Sequence, residues 1–226
     1  MLKIDPASPS ASAPAPTLKP KQTRQSDAAS IQALILAAGR GRRFDPTGEA
    51  FKLNQYLSDG RTVFEHTVLT VASVFPDFQI VLAPDTPLDA SFVHKYASRL
   101  LICPDAASGM GHSLAYGVTQ LEAHHSAVFV VLADMPWIQV ATLQGLREQM
   151  LACLANQAAS IVVPTYQTRR GHPVGFAAAM FPLLRALQGD QGARSLLASF
   201  AVCEVPVEDI GVLRDIDTAA DLASAP

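Results

Sequence analysis

The chain is predicted to be an α/β protein in which one mostly parallel, twisted sheet carries helices on both faces. Two observations predict this: five short apolar runs of strand length, and amphipathic helical patterns between them. Strands buried on both faces read as continuous apolar runs, and alternating helices supply the crossovers of a parallel sheet. We therefore expect a three-layer α/β/α, Rossmann-like architecture, with ligands bound beyond the carboxyl ends of the strands.

The predicted strands are short apolar segments that end in glycine, proline, cysteine or small polar residues. The first, IQALILAA, runs directly into a glycine-rich loop, and the fourth, AVFVVLA, ends at an aspartate. The five runs cover residues 31–38, 79–84, 99–103, 127–133 and 160–164.

The predicted helices show apolar residues at spacings of three and four, which place those residues on one helix face. Thr62 and Glu65 form a T-x-x-E capping box at the start of the first helix. A second helix is predicted after Ser113. The apolar positions of the three helices are Phe64, Val68, Val71 and Phe75; Leu114, Val118 and Leu121; and Leu143, Leu146, Met150 and Leu154.

The composition of the chain excludes several classes of protein. The 226 residues are 49% hydrophobic and 16% charged, which permits a substantial core and excludes a wholly disordered chain. A net charge of −3 argues against a nucleic-acid-coating surface. No apolar run reaches the ~20 residues that span a bilayer, so no membrane association is expected. Three dispersed cysteines, without a CxxC pair, predict a reduced, cytoplasmic protein and no structural zinc.

Residues 1–28 differ from the rest of the chain, because they are rich in Ala, Pro and Ser and almost free of large apolar side chains. Such a segment buries too little surface to offset its ordering entropy. We expect a disordered leader, with a docking tail as the alternative, and a folded domain over residues 29–226.

The loop after the first strand is a candidate phosphate site. Gly39 and Gly41 allow positive φ, so that successive N–H groups can point into one concavity. Arg40, Arg42 and Arg43 add positive charge, and Lys52 follows. The spacing fits neither the Walker loop nor the dinucleotide fingerprint. An ordinary strand-to-helix turn with solvated arginines stays open as the alternative.

Two aspartates are candidate metal ligands. Asp134 directly follows the fourth strand, where a carboxylate faces the ligand crevice, and carboxylates are the protein ligands that Mg²⁺ prefers. Asp217 precedes a short helix that Thr218 can cap, and it could face the same crevice. The alternative for Asp134 is a helix N-cap, and capping of the short helix alone would also explain the pattern around Asp217.

Two further turns are candidate binding segments. Residues 108–114 form a glycine-rich entry to a helix that could read a nucleobase edge, or a plain turn with Ser113 as a cap. In residues 169–176, Arg169 and Arg170 beside a Gly-His-Pro turn could hold a second anion, or the segment could be a solvated turn. We interpret His172 as a substrate contact rather than a catalyst, because phosphoryl-group attack needs little proton chemistry.

Taken together, these segments resemble the molybdenum cofactor nucleotidyltransferases. The resemblance spans residues 31–223 and rests on motifs that occur in the family's order: LILAAGRGRRF, Lys52, SGMGHSL, ADMP, RRGHPVGF and DIDTAADL. GMGHSL and RRGHPVGF are closer to the cytidylyltransferase branch than to the guanylyltransferase branch. That branch makes molybdopterin cytosine dinucleotide for enzymes of the xanthine dehydrogenase type.

The resemblance implies roles for individual residues. Catalysis would rest on Arg40, Lys52 and Asp134, and Mg²⁺ would be held by Asp134 and Asp217. The pterin substrate would meet Arg170, Gly171, His172 and Pro173. The nucleotide would contact Leu36, Ala37, Ala38, Gly39, Arg40, Gly41, Arg43 and Lys52, together with Gly109, Met110, Gly111 and Ser113.

The implied reaction transfers CMP from CTP to the terminal phosphate of the molybdenum-bearing pterin and releases pyrophosphate. Implied partners are CTP or another nucleoside triphosphate, the molybdopterin cofactor, and a molybdenum hydroxylase apoenzyme or its chaperone. A guanylyl- or sugar-phosphate nucleotidyltransferase is the alternative within enzymes, and a non-catalytic cofactor-binding chaperone is the alternative outside them. The chain departs from the family pattern in the segment DPTGEAFKLNQYL, which makes the loop before Lys52 longer, and in Asn54, where a small apolar residue is more usual.

Overall fold

The computed structural model describes residues 29–39, 41, 43–45, 47 and 50–223. The predicted leader, residues 1–28, lies outside the described residues, and so do Arg40 and Arg42 of the glycine-rich loop. No helix within the described ranges is both long enough and apolar enough to cross a bilayer.

The described chain contains eight strands and seven α-helices, joined by short 3-10 turns that include Lys52–Asn54 and Ile210–Leu213. The strands are β1 (Ser30–Leu36), β2 (Phe78–Leu82), β3 (Leu100–Ile102), β4 (His125–Leu132), β5 (Ile161–Tyr166), β6 (Arg169–Arg170), β7 (Val174–Ala177) and β8 (Val202–Pro206). The helices are α1 (Val63–Val74), α2 (Ala90–Tyr96), α3 (Met110–Thr119), α4 (Val140–Asn156), α5 (Phe181–Arg185), α6 (Arg194–Ser199) and α7 (Ala219–Ala223).

All eight strands belong to one sheet, in the order β3-β2-β1-β4-β7-β5-β6, with β8 also paired to β5. The pairs β3–β2, β2–β1, β1–β4 and β5–β8 are parallel. β7 is antiparallel to both β4 and β5, so it runs against the direction that the main strands share. The predicted mostly parallel α/β sheet is confirmed, with β7 as an antiparallel insertion.

Alternate residues of β1 point to two separate cores, one on each face of the sheet. Ile35 packs in a core with apolar residues of α1 and α4, such as Phe64 and Leu146. Leu34 packs in the other core with α3 and α5 residues, such as Leu114. This alternation follows from the two-residue period of a strand, and it produces the three layers.

The helix starts agree with the sequence in one case and differ in another. Thr62 and Glu65 form the predicted capping box at the start of α1, with the Glu65 N–H donating to Thr62 Oγ1 at 3.1 Å. The helix predicted after Ser113 instead begins at Met110, with Gly109 as the N-cap residue. Ser113 is buried within α3, so its interpretation as a cap is wrong.

Candidate active site

The carboxyl ends of the central strands bring the glycine-rich loop next to Asp134. The Ala37 N–H donates to the carbonyl of Val81 at 2.9 Å, and the Ala133 N–H donates to the carbonyl of Leu36 at 3.1 Å. The hydrogen bonds between neighbouring strands therefore continue just beyond β1. Gly39 and Asp134 follow these bonded residues and lie at the same edge of the sheet. Gly39 is exposed, and among the described residues no group lies within 4 Å of the point where its Cβ would be.

Lys52 enters this edge from the 3-10 turn that follows the loop. Its side chain is buried, and its Nζ lies 2.5 Å from Asp134 Oδ2 and 3.5 Å from Asp217 Oδ1. Gly41 has a φ of +61°, and a Cβ added there would lie 3.5 Å from Lys52 Cγ. The loop thus folds back over the aliphatic stem of Lys52, and the longer segment before this lysine does not keep it from the carboxylates.

Asn54, the other departure from the family pattern, is in the same 3-10 turn. Its side-chain Nδ2 donates to the carbonyl of Pro87 at 2.6 Å. This bond ties the turn that carries Lys52 to the loop that follows β2.

Three carboxylates converge beside Lys52. One oxygen from each of Asp134, Asp215 and Asp217 lies within 4.8 Å of the others. The Ile216 N–H donates to the carbonyl of Asp134 at 2.9 Å, which joins the two segments through their backbones. Arg43 Nη1 donates to Asp217 Oδ2 at 2.7 Å from the solvent side.

Helix capping does not account for either predicted aspartate. The helix after Asp134 begins only at Val140, with Gln139 at its N-cap. Before α7, Asp221 Oδ2 accepts from the N–H and the hydroxyl of Thr218, whereas the Asp217 carboxylate accepts from Arg43 and Lys52. The capping alternative for Asp134 is therefore wrong. The predicted cap at Thr218 is present, because Thr218 Oγ1 accepts from the Asp221 N–H at 3.3 Å.

Asp215 is the member of the cluster that the sequence prediction missed. The signal was the D-x-D spacing of Asp215 and Asp217, because residues i and i+2 of an extended segment share a side. Partial burial, and then the negative charges of Asp217 and Asp134, raise the pKa of Asp215 above its ordinary value. The three carboxylates therefore carry more negative charge than the neighbouring Lys52 ammonium neutralises.

The carboxylate cluster fits a divalent cation by the chemistry of its donors. All three side chains offer oxygen, and hard cations such as Mg²⁺ take carboxylate oxygens together with phosphate oxygens and water. Asp134 and Asp217 already hold a cation, the Lys52 ammonium. Those two residues, with Asp215 at their side, are the groups that would hold a metal ion.

The predicted nucleobase turn begins α3 at the same edge of the sheet. The Gly111 N–H donates to the carbonyl of Gly189 at 2.7 Å, and a Cβ on Gly111 would meet Gln188 at 2.8 Å. Met110 is 47% exposed, whereas the side chain of Ser113 is buried. The structure thus leaves Met110 exposed, packs residues 188–190 against Gly109 and Gly111, and turns Ser113 inward.

In the predicted pterin segment, the Arg170 side chain is paired away from the acidic cluster, whereas the backbone of Gly171 and His172 is bonded to neighbouring segments. The Arg170 guanidinium pairs with Glu204 of β8, with Nε at 2.8 Å from Oε1, rather than with the acidic cluster. The Gly171 N–H donates to the carbonyl of Pro164, and the His172 N–H donates to the carbonyl of Val212, which lies just before the Asp215 segment. Pro173 follows His172 through a cis peptide bond.

Burial and two nearby charges act on the pKa of His172. Burial lowers its pKa, while the charge of Asp134 acts to raise it and the charge of Arg194 acts to lower it. Its buried Nδ1 has no hydrogen-bond partner among the residues that the structure describes. A neutral imidazole beside Asp134 is therefore the form that this environment favours.

The sequence profile of the MobA-like NTP transferase domain matches residues 33–205, which contain the glycine-rich loop, Lys52 and Asp134. The chain belongs to this family. A curated relative, the purine catabolism protein PucB of Bacillus subtilis (strain 168), is 34% identical over 198 residues, which cover 82% of this chain and 90% of PucB.

Two solved structures are similar in fold. One is Rv0371C of Mycobacterium tuberculosis H37Rv in complex with manganese, with a TM-score of 0.67 and 24% identity over 87% of this chain and all of that chain. The other is the molybdopterin-guanine dinucleotide biosynthesis protein A of Archaeoglobus fulgidus, with a TM-score of 0.56 and 20% identity over 85% of this chain and 95% of that chain. This protein is a nucleotidyltransferase by family, with the Rossmann-like fold of these structures.

Proposed function

We propose that this protein transfers CMP from CTP to the terminal phosphate of molybdenum-bearing molybdopterin, giving molybdopterin cytosine dinucleotide and pyrophosphate. One observation carries the proposal: Lys52, Asp134 and Asp217 meet where the glycine-rich loop leaves β1. This arrangement combines a glycine-rich loop, a cation and carboxylates of the kind that bind divalent metals at one sheet edge. The molybdopterin-related name of the Archaeoglobus structure supports the acceptor, and the motifs GMGHSL and RRGHPVGF support cytosine.

The nucleotide would lie along this edge. Its triphosphate would bind over residues 37–43, and its base would approach the exposed Met110 at the start of α3. β3 and β4 are three strand spacings apart, or roughly 14 Å, a distance that a nucleoside triphosphate can span. Ser113 is buried and would support the turn rather than contact the base.

The reaction needs alignment and charge stabilisation rather than a covalent nucleophile. An oxygen of the acceptor phosphate attacks the α-phosphorus of CTP and forms a new P–O bond. The bond from that phosphorus to the oxygen bridging to the β-phosphate breaks, and its electron pair leaves with pyrophosphate. Lys52 would stabilise charge on the departing phosphates, with Arg43 and Arg40 at the loop.

Asp134 and Asp217 would hold the divalent cation, proposed to be Mg²⁺. Such an ion supplies neutralisation of phosphate charge when it is bound. The fold similarity to Rv0371C, whose structure is a manganese complex, supports the binding of a divalent metal. His172 and Gly171 would contact the pterin substrate next to Asp134, while Arg170 would have to leave Glu204 to reach it.

The name of PucB, a purine catabolism protein, agrees with a recipient enzyme of the xanthine dehydrogenase type, because xanthine is a purine. We therefore propose a cytoplasmic molybdenum hydroxylase apoenzyme, or its chaperone, as the recipient of the product.

Pyrophosphate release with molybdopterin and each of CTP, GTP, UTP and ATP tests the proposal. We expect release with CTP, dependence on Mg²⁺, and a dinucleotide of cytosine as the product. Release with GTP alone would instead establish a guanylyltransferase. Tight cofactor binding without pyrophosphate release from any nucleotide would establish a chaperone, and Asp134→Asn provides the inactive control.

A further inference from the structure

A second group of metal-ligating side chains lies at the opposite edge of the sheet. Asp77 directly precedes β2, and His124 and His125 stand where β4 begins. One ligand atom from each of these three side chains lies within 4.8 Å of the others. The eight residues of β4 separate this group from Asp134 by roughly 25 Å, so the two clusters are independent sites.

The ring of His125 faces hydrogen-bond acceptors on both sides. Its Nδ1 lies 3.2 Å from the carbonyl oxygen of Glu122, and its Nε2 lies 2.6 Å from Asp77 Oδ2. The side chain is 2% exposed, so water does not substitute for these partners. The 2.6 Å separation is that of a hydrogen bond, so a proton joins Nε2 to Oδ2 when no metal is bound. A metal ion at this site would replace that proton and take both atoms as ligands.

The Asp77 carboxylate is held in place from its other side. Its Oδ1 accepts from Gln32 Nε2 at 3.2 Å and from Arg99 Nη1 at 3.3 Å. Oδ2 is thereby directed at His125. A ligand carboxylate fixed by outer hydrogen bonds, together with a histidine whose second nitrogen donates to a carbonyl, is the support that metal ligands have in proteins.

His124 is the third candidate ligand, and it lies on the solvent-exposed side of the group. Its ring lies on that of His125, with 4.1 Å between ring centroids, and its Nδ1 is 3.2 Å from Glu122 Oε2. The side chain is 58% exposed, which leaves room for an ion to enter and for Glu122 or water as the fourth ligand. A proton would account for the contact between His125 and Asp77, but it would not account for the convergence of His124.

We propose that Asp77, His124 and His125 bind Zn²⁺. Two imidazole nitrogens and a carboxylate oxygen form the borderline donor set that zinc takes in four-coordinate sites, unlike the all-oxygen set at Asp134. The ion would clamp the segment before β2 to the segment before β4, across β1, which contributes Gln32. Ligand spacing in the sequence gives no sign of this site, because Asp77 and His125 are 48 residues apart.

The test uses the full chain with the Asp134→Asn and Asp217→Asn substitutions, which remove ligands at the other edge. After dialysis against a chelator, Zn²⁺ is titrated by calorimetry, and Co²⁺ is followed by its visible absorption. We expect one equivalent of tightly bound ion, the absorption of low-coordinate Co²⁺, and a higher unfolding temperature with Zn²⁺.

His124→Ala separates metal binding from folding, because this side chain is exposed. We expect it to weaken Zn²⁺ binding at least about tenfold, since the loss of an outer-shell partner alone costs that much. His94→Ala, at an exposed position in α2, is the matched control and should bind Zn²⁺ as the parent does. Absence of stoichiometric Zn²⁺ binding, or equal affinity of the parent and His124→Ala, would overturn the proposal. Neither result depends on nucleotidyl transfer, because the parent lacks the proposed catalytic carboxylates.

Discussion

Lys52 Nζ lies 2.5 Å from Asp134 Oδ2, although 82 residues separate the two in sequence. The lysine comes from a 3-10 turn after the glycine-rich loop, and the aspartate comes from the end of β4. The ammonium also lies 3.5 Å from Asp217, so a single cation is shared by carboxylates from two other segments. This relationship is the basis of the predictions on catalysis and metal binding.

Asp134→Asn is expected to abolish most of the nucleotidyl transfer. The substitution keeps the shape of the side chain and removes the charge that would hold the metal, so turnover should fall by roughly 10²–10⁴-fold. The measurement is pyrophosphate release with CTP and molybdopterin. Glu148→Gln, an exposed carboxylate-to-amide change in α4, is the matched control. Near-parental turnover by Asp134→Asn would remove Asp134 from the site.

Lys52→Met is expected to make the protein more dependent on divalent metal. The methionine keeps much of the aliphatic stem under Gly41 but leaves the three carboxylates without their buried cation, which should cost about 1–3 kcal/mol of folding free energy. Mg²⁺ should therefore raise the unfolding temperature more in Lys52→Met than in the unsubstituted protein. Lys95→Met, at an exposed position in α2, controls for the loss of a lysine. Equal Mg²⁺ effects in the two proteins would contradict the shared-cation interpretation.

Asp215→Asn is expected to stabilise the protein at neutral pH. Because burial and the neighbouring carboxylates raise the pKa of Asp215, this residue favours the folded state at low pH, and that contribution is lost as the pH rises through the folded-state pKa. The variant should therefore be more stable than the parent at pH 7, and the difference should disappear below about pH 4. Urea unfolding at both pH values measures this.

Asp221→Asn provides a comparison of opposite sign. Hydrogen bonds from Thr218 lower the pKa of Asp221, so its ionised form favours the folded state above the unfolded-state pKa, and that contribution is lost as the pH falls through the folded-state pKa. The variant should be less stable than the parent at pH 7. If both variants shift stability in the same direction at pH 7, the electrostatic interpretation of the cluster is wrong.

Gly171→Ala is expected to disturb the site through the backbone. A Cβ at this position would lie well inside van der Waals contact distance of the Val212 carbonyl oxygen, so the 3-10 turn before Asp215 must move. Overpacking of this kind costs about 1–3 kcal/mol, and turnover should fall along with stability. Gly145→Ala is the matched control, because no described residue lies within 4 Å of its Cβ position in α4. Alanine there should raise the free energy of unfolding by about 0.5–1 kcal/mol. Chemical unfolding and pyrophosphate release measure both effects.

Local patterns in the sequence were sufficient for much of the fold. Each of the five predicted apolar runs contains or overlaps a strand of the sheet, and the Thr62–Glu65 capping box starts α1. The strands β6, β7 and β8 were missed. β7 is four residues long and contains Gly175, where a Cβ would lie 2.7 Å from Phe129, so close packing requires a residue that weakens any strand pattern.

The sequence by itself determined the alternation of strands and helices, and it indicated Asp134, because the residue that ends a parallel strand must face the ligand edge. Only the tertiary structure decided that Asp215 joins the acidic cluster, that Ser113 is buried and that Arg170 pairs with Glu204. It also decided that Asp77 meets His125. The physical reason is the range of the interactions: hydrophobic period and capping act within a few residues, whereas these contacts form between distant segments and depend on strand order and loop path.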